Sequence, residues 1–203
     1  MSSAIIVDRF EKFFKPEPGS FLEGYMLSKR SIEDAVRNGG FDTWTILRGG
    51  QFATNFVLPA AAFSYPELSR DGIIITAVTQ ETGFLTIVPE DLGNFALAAF
   101  SEPQRFGGHG INVVSERFSI DEIAAMMERI SGKNVSVRFR SEEEIEVIKD
   151  TNPFIAGQLL TRTMQLWANV EDTKSWGVPL TSFEDFLIKE KEKGNLQKSI
   201  GSK

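Results

Sequence analysis

The chain has 203 residues, 41% hydrophobic and 25% charged, with 22 Lys and Arg against 28 Asp and Glu. That balance suits one good-sized globular domain and excludes fibrous and disordered classes, and a net charge of −6 argues against a dedicated nucleic-acid binder, because phosphate affinity needs clustered positive charge. With no Cys and one His, His109, the chain has no disulfide scaffold, thiolate nucleophile, Cys-ligated metal or His-rich metal site. The apolar run 4–7 is too short for a signal peptide and follows no basic residue. No segment approaches the roughly 18 apolar residues of a membrane span, so the chain reads as soluble and cytoplasmic, or nuclear if it is a regulator.

In chain order, Ser20-Phe21-Leu22-Glu23 is a capping box, and the helix it opens runs to about Asn38, where Gly39-Gly40 stop it. Residues 43–47, β-branched and aromatic, read as a short buried strand. Residues 52–63 are apolar and helical in pattern, with a break at Pro59. Residues 73–78 and 84–88 read as two more strands. Pro89-Glu90-Asp91-Leu92 opens a helix with Pro first and acids in the first turn, and the Ala-rich stretch 95–100 continues it. Gly107-Gly108-His109-Gly110 reads as a surface loop before a strand over 111–114.

Ser119-Ile120-Asp121-Glu122 is a second capping box, with Ile123, Met126, Met127 and Ile130 at helical spacing up to Gly132. Residues 135–139 alternate as a strand. Ser141 caps a short acidic helix whose Glu142, Glu143, Glu144 and Glu146 look like a solvated helix start, not a metal cage. Asn152-Pro153 starts a helix to about Ala168, and Thr181-Ser182-Phe183-Glu184 opens a last one to about Lys193. The Lys-rich end reads as a solvated tail, and Lys133, just past a helix end, also reads as solvated. Alternating strands and helices predict an α/β fold with a largely parallel sheet.

Tyr25 and Lys29 stand four apart on the first helix, so phenol and ammonium share a face, and Ile32 and Val36 extend that stripe toward the sheet. An ammonium beside a phenol favours its ionised form, and a phenol so placed can pass a proton to a carbonyl oxygen. The following strand ends at Arg48-Gly49-Gly50, and ligands of open α/β sheets bind beyond the carboxyl ends of strands. Gly49 and Gly50 would allow close backbone approach to a ligand, and Gln51, Thr54 and Asn55 offer amide and hydroxyl groups there.

Tyr25-x-x-x-Lys29 followed by Ile32-Glu33, then Thr45-Ile46-Leu47-Arg48-Gly49 and Phe52-x-x-Asn55, resembles the NmrA-like group of atypical short-chain dehydrogenases/reductases. Downstream, Val88-Pro89-Glu90-Asp91-Leu92-Gly93 before an Ala-rich helix is similar to the same family. So are Ser119-Ile120-Asp121-Glu122-Ile123 with Ser131-Gly132-Lys133, and the segment from Trp176 to Phe186. The resemblance spans about residues 20–190. Arg48-Gly49 departs from the commoner Arg-Pro.

The resemblance implies NADP or NAD as cofactor and a small-molecule substrate. It implies Tyr25 as proton donor, Lys29 on the nicotinamide ribose and Ser3 holding the substrate carbonyl. Gly50, Gln51, Phe52, Ala53, Thr54 and Asn55 would line the nicotinamide pocket. Residues 142–168 would belong to the substrate lobe, where Gln158, Thr161, Arg162 and Trp167 either contact a polar aromatic ligand or pack.

The family's Gly-x-x-Gly-x-x-Gly loop, which holds the pyrophosphate at a helix N-terminus, is not in this sequence. The chain therefore reads as the C-terminal part of one NmrA-like domain: an incomplete Rossmann-like parallel sheet with a small α/β substrate-binding lobe. Residues 1–115 would be the remaining Rossmann core, 116–190 mostly the lobe, and 191–203 a flexible tail. The strand at 43–47 would lie beside an unfilled place, an edge open to self-association. Three functional readings stand at this point. They are a NAD(P)H-dependent reductase of a small carbonyl or alkene, a non-catalytic dinucleotide-sensing regulator with a protein partner, and a truncated, inactive relative.

Overall fold

A computed structural model describes residues 15–201. Ser3, expected to hold a substrate carbonyl, lies outside the described residues. The first half of the chain runs through α1 (Phe21–Arg37), β1 (Thr45–Gly49), β2 (Gln51–Phe52), a 3-10 turn at Ala53–Phe56, α2 (Ala61–Ser64), α3 (Pro66–Asp71), β3 (Ile73–Thr76), β4 (Phe84–Ile87) and α4 (Pro89–Ser101). There follow α5 (Pro103–Phe106), β5 (His109–Val113), β6 (Glu116–Phe118), α6 (Ile120–Ser131), β7 (Ser136–Phe139), α7 (Glu142–Ile148), α8 (Pro153–Met164), α9 (Val170–Lys174), α10 (Phe183–Glu192) and α11 (Asn195–Ser199).

The fold is α/β with parallel pairing, as expected. β1 runs parallel to β5, β2 to β4 and β3 to β7, while β6 lies antiparallel on β4. Register follows from backbone donors: Gly50 N–H donates to Val113 O and Ser115 N–H to Thr86 O, which carries the ladder from β1 and β5 across to β4.

Caps locate the helices. At α6 and α7 the Ser119 and Ser141 hydroxyls accept from the third helical N–H while Glu122 and Glu144 return to the cap N–H. Ser20 accepts from Glu23 N–H in the same way, but the Glu23 carboxylate reaches one residue further out, to Gly19 N–H at 2.6 Å. At the last box the cap is Ser182, not Thr181, because Phe183 must enter the core, where it is fully buried.

The largest core cluster gathers Phe56, Tyr65, Phe84 and Phe183 with Leu68, Ile74, Ile123, Met127, Leu187, Leu196 and Ile200. Phe56 stacks on Tyr65 with ring centroids 5.1 Å apart and meets Phe84 and Phe183 edge-on. A second cluster joins α1 to α8 through Leu22, Met26, Leu160, Met164 and Trp167.

Several expectations change. The first strand begins at Thr45, two residues late. Residues 52–63 form a strand end, a 3-10 turn, a cis Leu58–Pro59 bond and the short α2, so the break at Pro59 stands but the helix does not. The long helix expected to reach Ala168 ends at Met164, since the Asn169 side chain accepts from Asp172 N–H and starts α9. His109 and Gly110 begin β5, and the His109 ring meets Trp176 edge-on, so the glycine cluster is only partly a loop.

The C-terminal segment is no loose tail through residue 201. α11 packs Leu196 and Ile200 into the main core, and Gly201 N–H donates to Leu68 O. Nor is Lys133 solvated: its ammonium donates to Gln197 O and Ile200 O, each at 2.6 Å. Among the described residues, no helix is long and apolar enough to cross a membrane.

Candidate functional site

α1 carries the phenol and ammonium, and its buried face explains how they are held. Leu22, Met26 and Glu33 are buried, while Ile32 is 49% exposed. The docking stripe is therefore 22–26–33, not 25–29–32–36, and it ends on a carboxylate. Glu33 is tolerated there because Arg48, near the end of β1, pairs with it through both fork nitrogens. Arg48 Nε lies 2.7 Å from Glu33 Oε1 and a terminal nitrogen 2.6 Å from Oε2, both side chains buried. Arg37 donates to the same carboxylate at 2.9 Å. Gly110 has no side chain because a Cβ there would lie 2.9 Å from the Arg48 guanidinium. Arg48 thus anchors α1 to the strand end.

Tyr25 and Lys29 emerge beside this anchor, both half-buried. The Lys29 ammonium sits 5.4 Å from the Tyr25 ring centroid, the helical neighbourhood expected from their spacing. Tyr25 lines a cleft of about 260 Å³ with Gly49, Gly50 and Gln51 on one side and Pro153, Phe154, Gly157, Leu160, Thr161 and Met164 of α8 on the other. A second cleft of about 180 Å³ shares Gln51, Pro153, Phe154 and Gly157 with the first and adds Asn55, Ser64, Tyr65 and Gln158.

Of the residues expected on the nicotinamide, Gly50, Gln51 and Asn55 line these clefts. Phe52 packs instead against the cluster of Leu47, Ile87, Leu92 and Phe95, and Ala53 is sealed in the main core. Thr54 is half-buried, its carbonyl accepting from Val57 N–H. The glycines do not reserve space for a ligand: a Cβ on Gly50 would strike Leu85 O, and one on Gly49 would crowd Phe52 and Leu92. Their role is to let β2 lie against β4.

In the lobe, Thr161 lines the first cleft and its hydroxyl donates to Gly157 O. Gln158 accepts from Ala77 N–H at 2.7 Å. Arg162 donates to Ala77 O and pairs with Glu142, and Trp167 belongs to the core. Sequence reasoning missed the apolar wall of α8 and missed Tyr65. The wall could be inferred from the 153–157–160–164 spacing; nothing local marks Tyr65.

Tyr25 and the Gly49–Gly50–Gln51 segment line one opening, and the Lys29 ammonium lies by the Tyr25 ring. The described residues form no glycine cradle at a helix start for the pyrophosphate, and the 203-residue sequence contains no such loop. Among the described residues, no group of three or more His, Asp or Glu could hold a metal. The acids of α7 are spent on other work: Glu144 caps and pairs with Arg138, and Glu146 pairs with Lys149.

The sequence model of the NmrA-like family matches residues 25–190. Among solved structures, an NADPH-dependent quinone oxidoreductase from Escherichia coli is similar with a TM-score of 0.64 and 19% identity, covering 81% of this chain and 60% of that one. A triphenylmethane reductase from Citrobacter sp., complexed with NADP(H), gives 0.60 and 20%, covering 84% and 62%. NmrA, a negative transcriptional regulator in complex with NADP, gives 0.55 and 18%, covering 83% and 60%. The chain spans about three fifths of the length of each. At these identities the likeness establishes the fold. No curated protein matches the sequence.

Proposed function

The chain belongs to the NmrA-like family, and on that premise we propose that it carries the proton-donating, substrate-facing part of a NAD(P)-dependent oxidoreductase acting on a small organic carbonyl or alkene. The observation that carries this reading is Tyr25 lining a mostly apolar, uncharged cleft with the Lys29 ammonium over its ring.

A nicotinamide bound at this face supplies hydride. With a carbonyl, hydride would go to the carbon and the Tyr25 hydroxyl gives its proton to the oxygen; with an alkene, hydride would go to one carbon and the proton to its neighbour. In either case the Lys29 ammonium favours the negative charge left on the phenol oxygen. Leu22, Phe154, Leu160 and Met164 seat an apolar substrate body and keep water away from the reacting atoms. The Glu33–Arg48 pair fixes the helix that presents the phenol.

The reading is tested on the protein expressed from its whole reading frame, by following NADPH oxidation with quinone and enone substrates. Tyr25→Phe should keep cofactor binding and lose turnover by about 10²–10⁴-fold, the usual worth of a positioned proton donor. Turnover unchanged by Tyr25→Phe would rule out the assigned role. NADPH binding without turnover in the unmodified protein would favour the dinucleotide-sensing reading instead.

A further inference from the structure

Tyr65 is 1% exposed, and its hydroxyl has no hydrogen-bond partner. A buried donor left unmade costs about 1–3 kcal/mol, so native structures rarely keep one without a reason. Here the same residue lines the second cleft, which shares Gln51, Pro153, Phe154 and Gly157 with the Tyr25 cleft. Separately, clefts of about 260 and 180 Å³ fall below the usual span of small-molecule sites, which starts near 300 Å³. Taken together, the two neighbouring clefts reach it. Tyr25 lines one of them and Tyr65 the other.

The lining of both clefts contains no Lys, Arg, His, Asp or Glu. A carboxylate or phosphate would find no counter-charge, and a cation no partner. Asn55, Gln51 and Ser64 offer neutral amides and a hydroxyl, and burial pushes the Tyr65 phenol above its ordinary range, so it stays a neutral O–H donor at every working pH.

We propose that the Asn55–Tyr65 cleft recognises the far end of the substrate, with the Tyr65 hydroxyl donating to a neutral oxygen there. The substrate class is a neutral, mostly apolar molecule with two oxygen functions at opposite ends. One is reduced beside Tyr25, and the other, a carbonyl or ether, is held by Tyr65. This rests on the oxidoreductase reading for the first oxygen but makes its own claim about the second.

Binding is measured without turnover, by titrating the protein from its whole reading frame with 1,4-naphthoquinone, which has two opposed carbonyls, and with 1-tetralone, which has one. Tyr65→Phe should weaken naphthoquinone binding roughly three- to tenfold, the worth of one hydrogen bond, and leave tetralone unchanged. Its melting temperature should equal or exceed that of the unmodified protein, because the hydroxyl it removes has no partner to lose. The inference is overturned if the unmodified protein binds neither probe, if Tyr65→Phe alters both probes equally or neither, or if it lowers the melting temperature. Turnover in Tyr25→Phe is scored separately, so loss of the oxidoreductase reading and loss of this one are distinguishable.

Discussion

The chain's two tyrosines occupy opposite chemical settings. Tyr25 stands half-buried on a long helix with an ammonium over its ring, held by a buried ion pair to a strand end. Tyr65 lies between two very short helices, stacked on Phe56 inside the largest core cluster, its hydroxyl unpartnered. Burial pushes the Tyr65 phenol above its ordinary range and keeps it neutral, while Tyr25 has an ammonium beside its ring. In the roles proposed above, identical side chains do different work, Tyr25 releasing a proton and Tyr65 keeping its own as a hydrogen-bond donor. The teaching is that the support decides the role: charge pairing beneath Tyr25, apolar packing around Tyr65.

That contrast can be broken from either side. The largest stability effect should come from Glu33→Ala, which leaves Arg48 buried without its bidentate partner. A loss of about 3–5 kcal/mol is expected, read by denaturant melts, with amide protection in α1 falling before protection in β3. On the other side, Lys133→Ala removes the ammonium that holds the Gln197 and Ile200 carbonyls over the Tyr65 core. About 1.5–3 kcal/mol should be lost, with exchange rising first in α11. Ser119→Ala, which uncaps a helix packed on that same core, should cost about 1 kcal/mol by thermal melt.

The smallest effect is acid sensitivity. The Ser119 backbone N–H holds the Glu122 carboxyl below the usual carboxylate range, and the Ser141 N–H, with Arg138, does the same for Glu144. A depressed folded value means the stabilisation is full above the unfolded carboxylate value, near about 4.3, and is lost as pH falls through the folded value. Melts should therefore be flat from neutral pH to about 5 and decline below. A protein whose melting temperature rose on acidification through that range would contradict the assignment.

Features that depend on a few consecutive residues were legible in the sequence. The boxes at Ser119 and Ser141 stand where the hydroxyl and carboxylate spacing places them, and Tyr25 and Lys29 meet because helical geometry brings positions four apart together. Features that depend on distant neighbours were not. Glu33 and Arg48 are both visible as motif residues, but nothing local reports that their charges face each other away from water, so the buried stripe of α1 was misread. Phe183 moves the last cap by one residue for the sake of a core assembled from elements distant in the sequence. Leu196 and Ile200 are too few to show a period and are recruited by packing alone. At the site, the glycines were read as room for a ligand, whereas Leu85 O takes the space beside Gly50; only the three-dimensional neighbour distinguishes the two.

The binding of residues 196–201 across α3 and α6 has a consequence for how the protein is made. As the chain leaves the ribosome, Phe56, Tyr65 and Phe84 appear first, and the side chains that cover them, Phe183, Leu187, Leu196 and Ile200, appear last. Until residues 183–200 have emerged these aromatics have no lid, and the core cannot close. The aromatic core is therefore exposed to aggregation during that interval, and a stop codon introduced shortly before Phe183 should yield insoluble product rather than a smaller folded one.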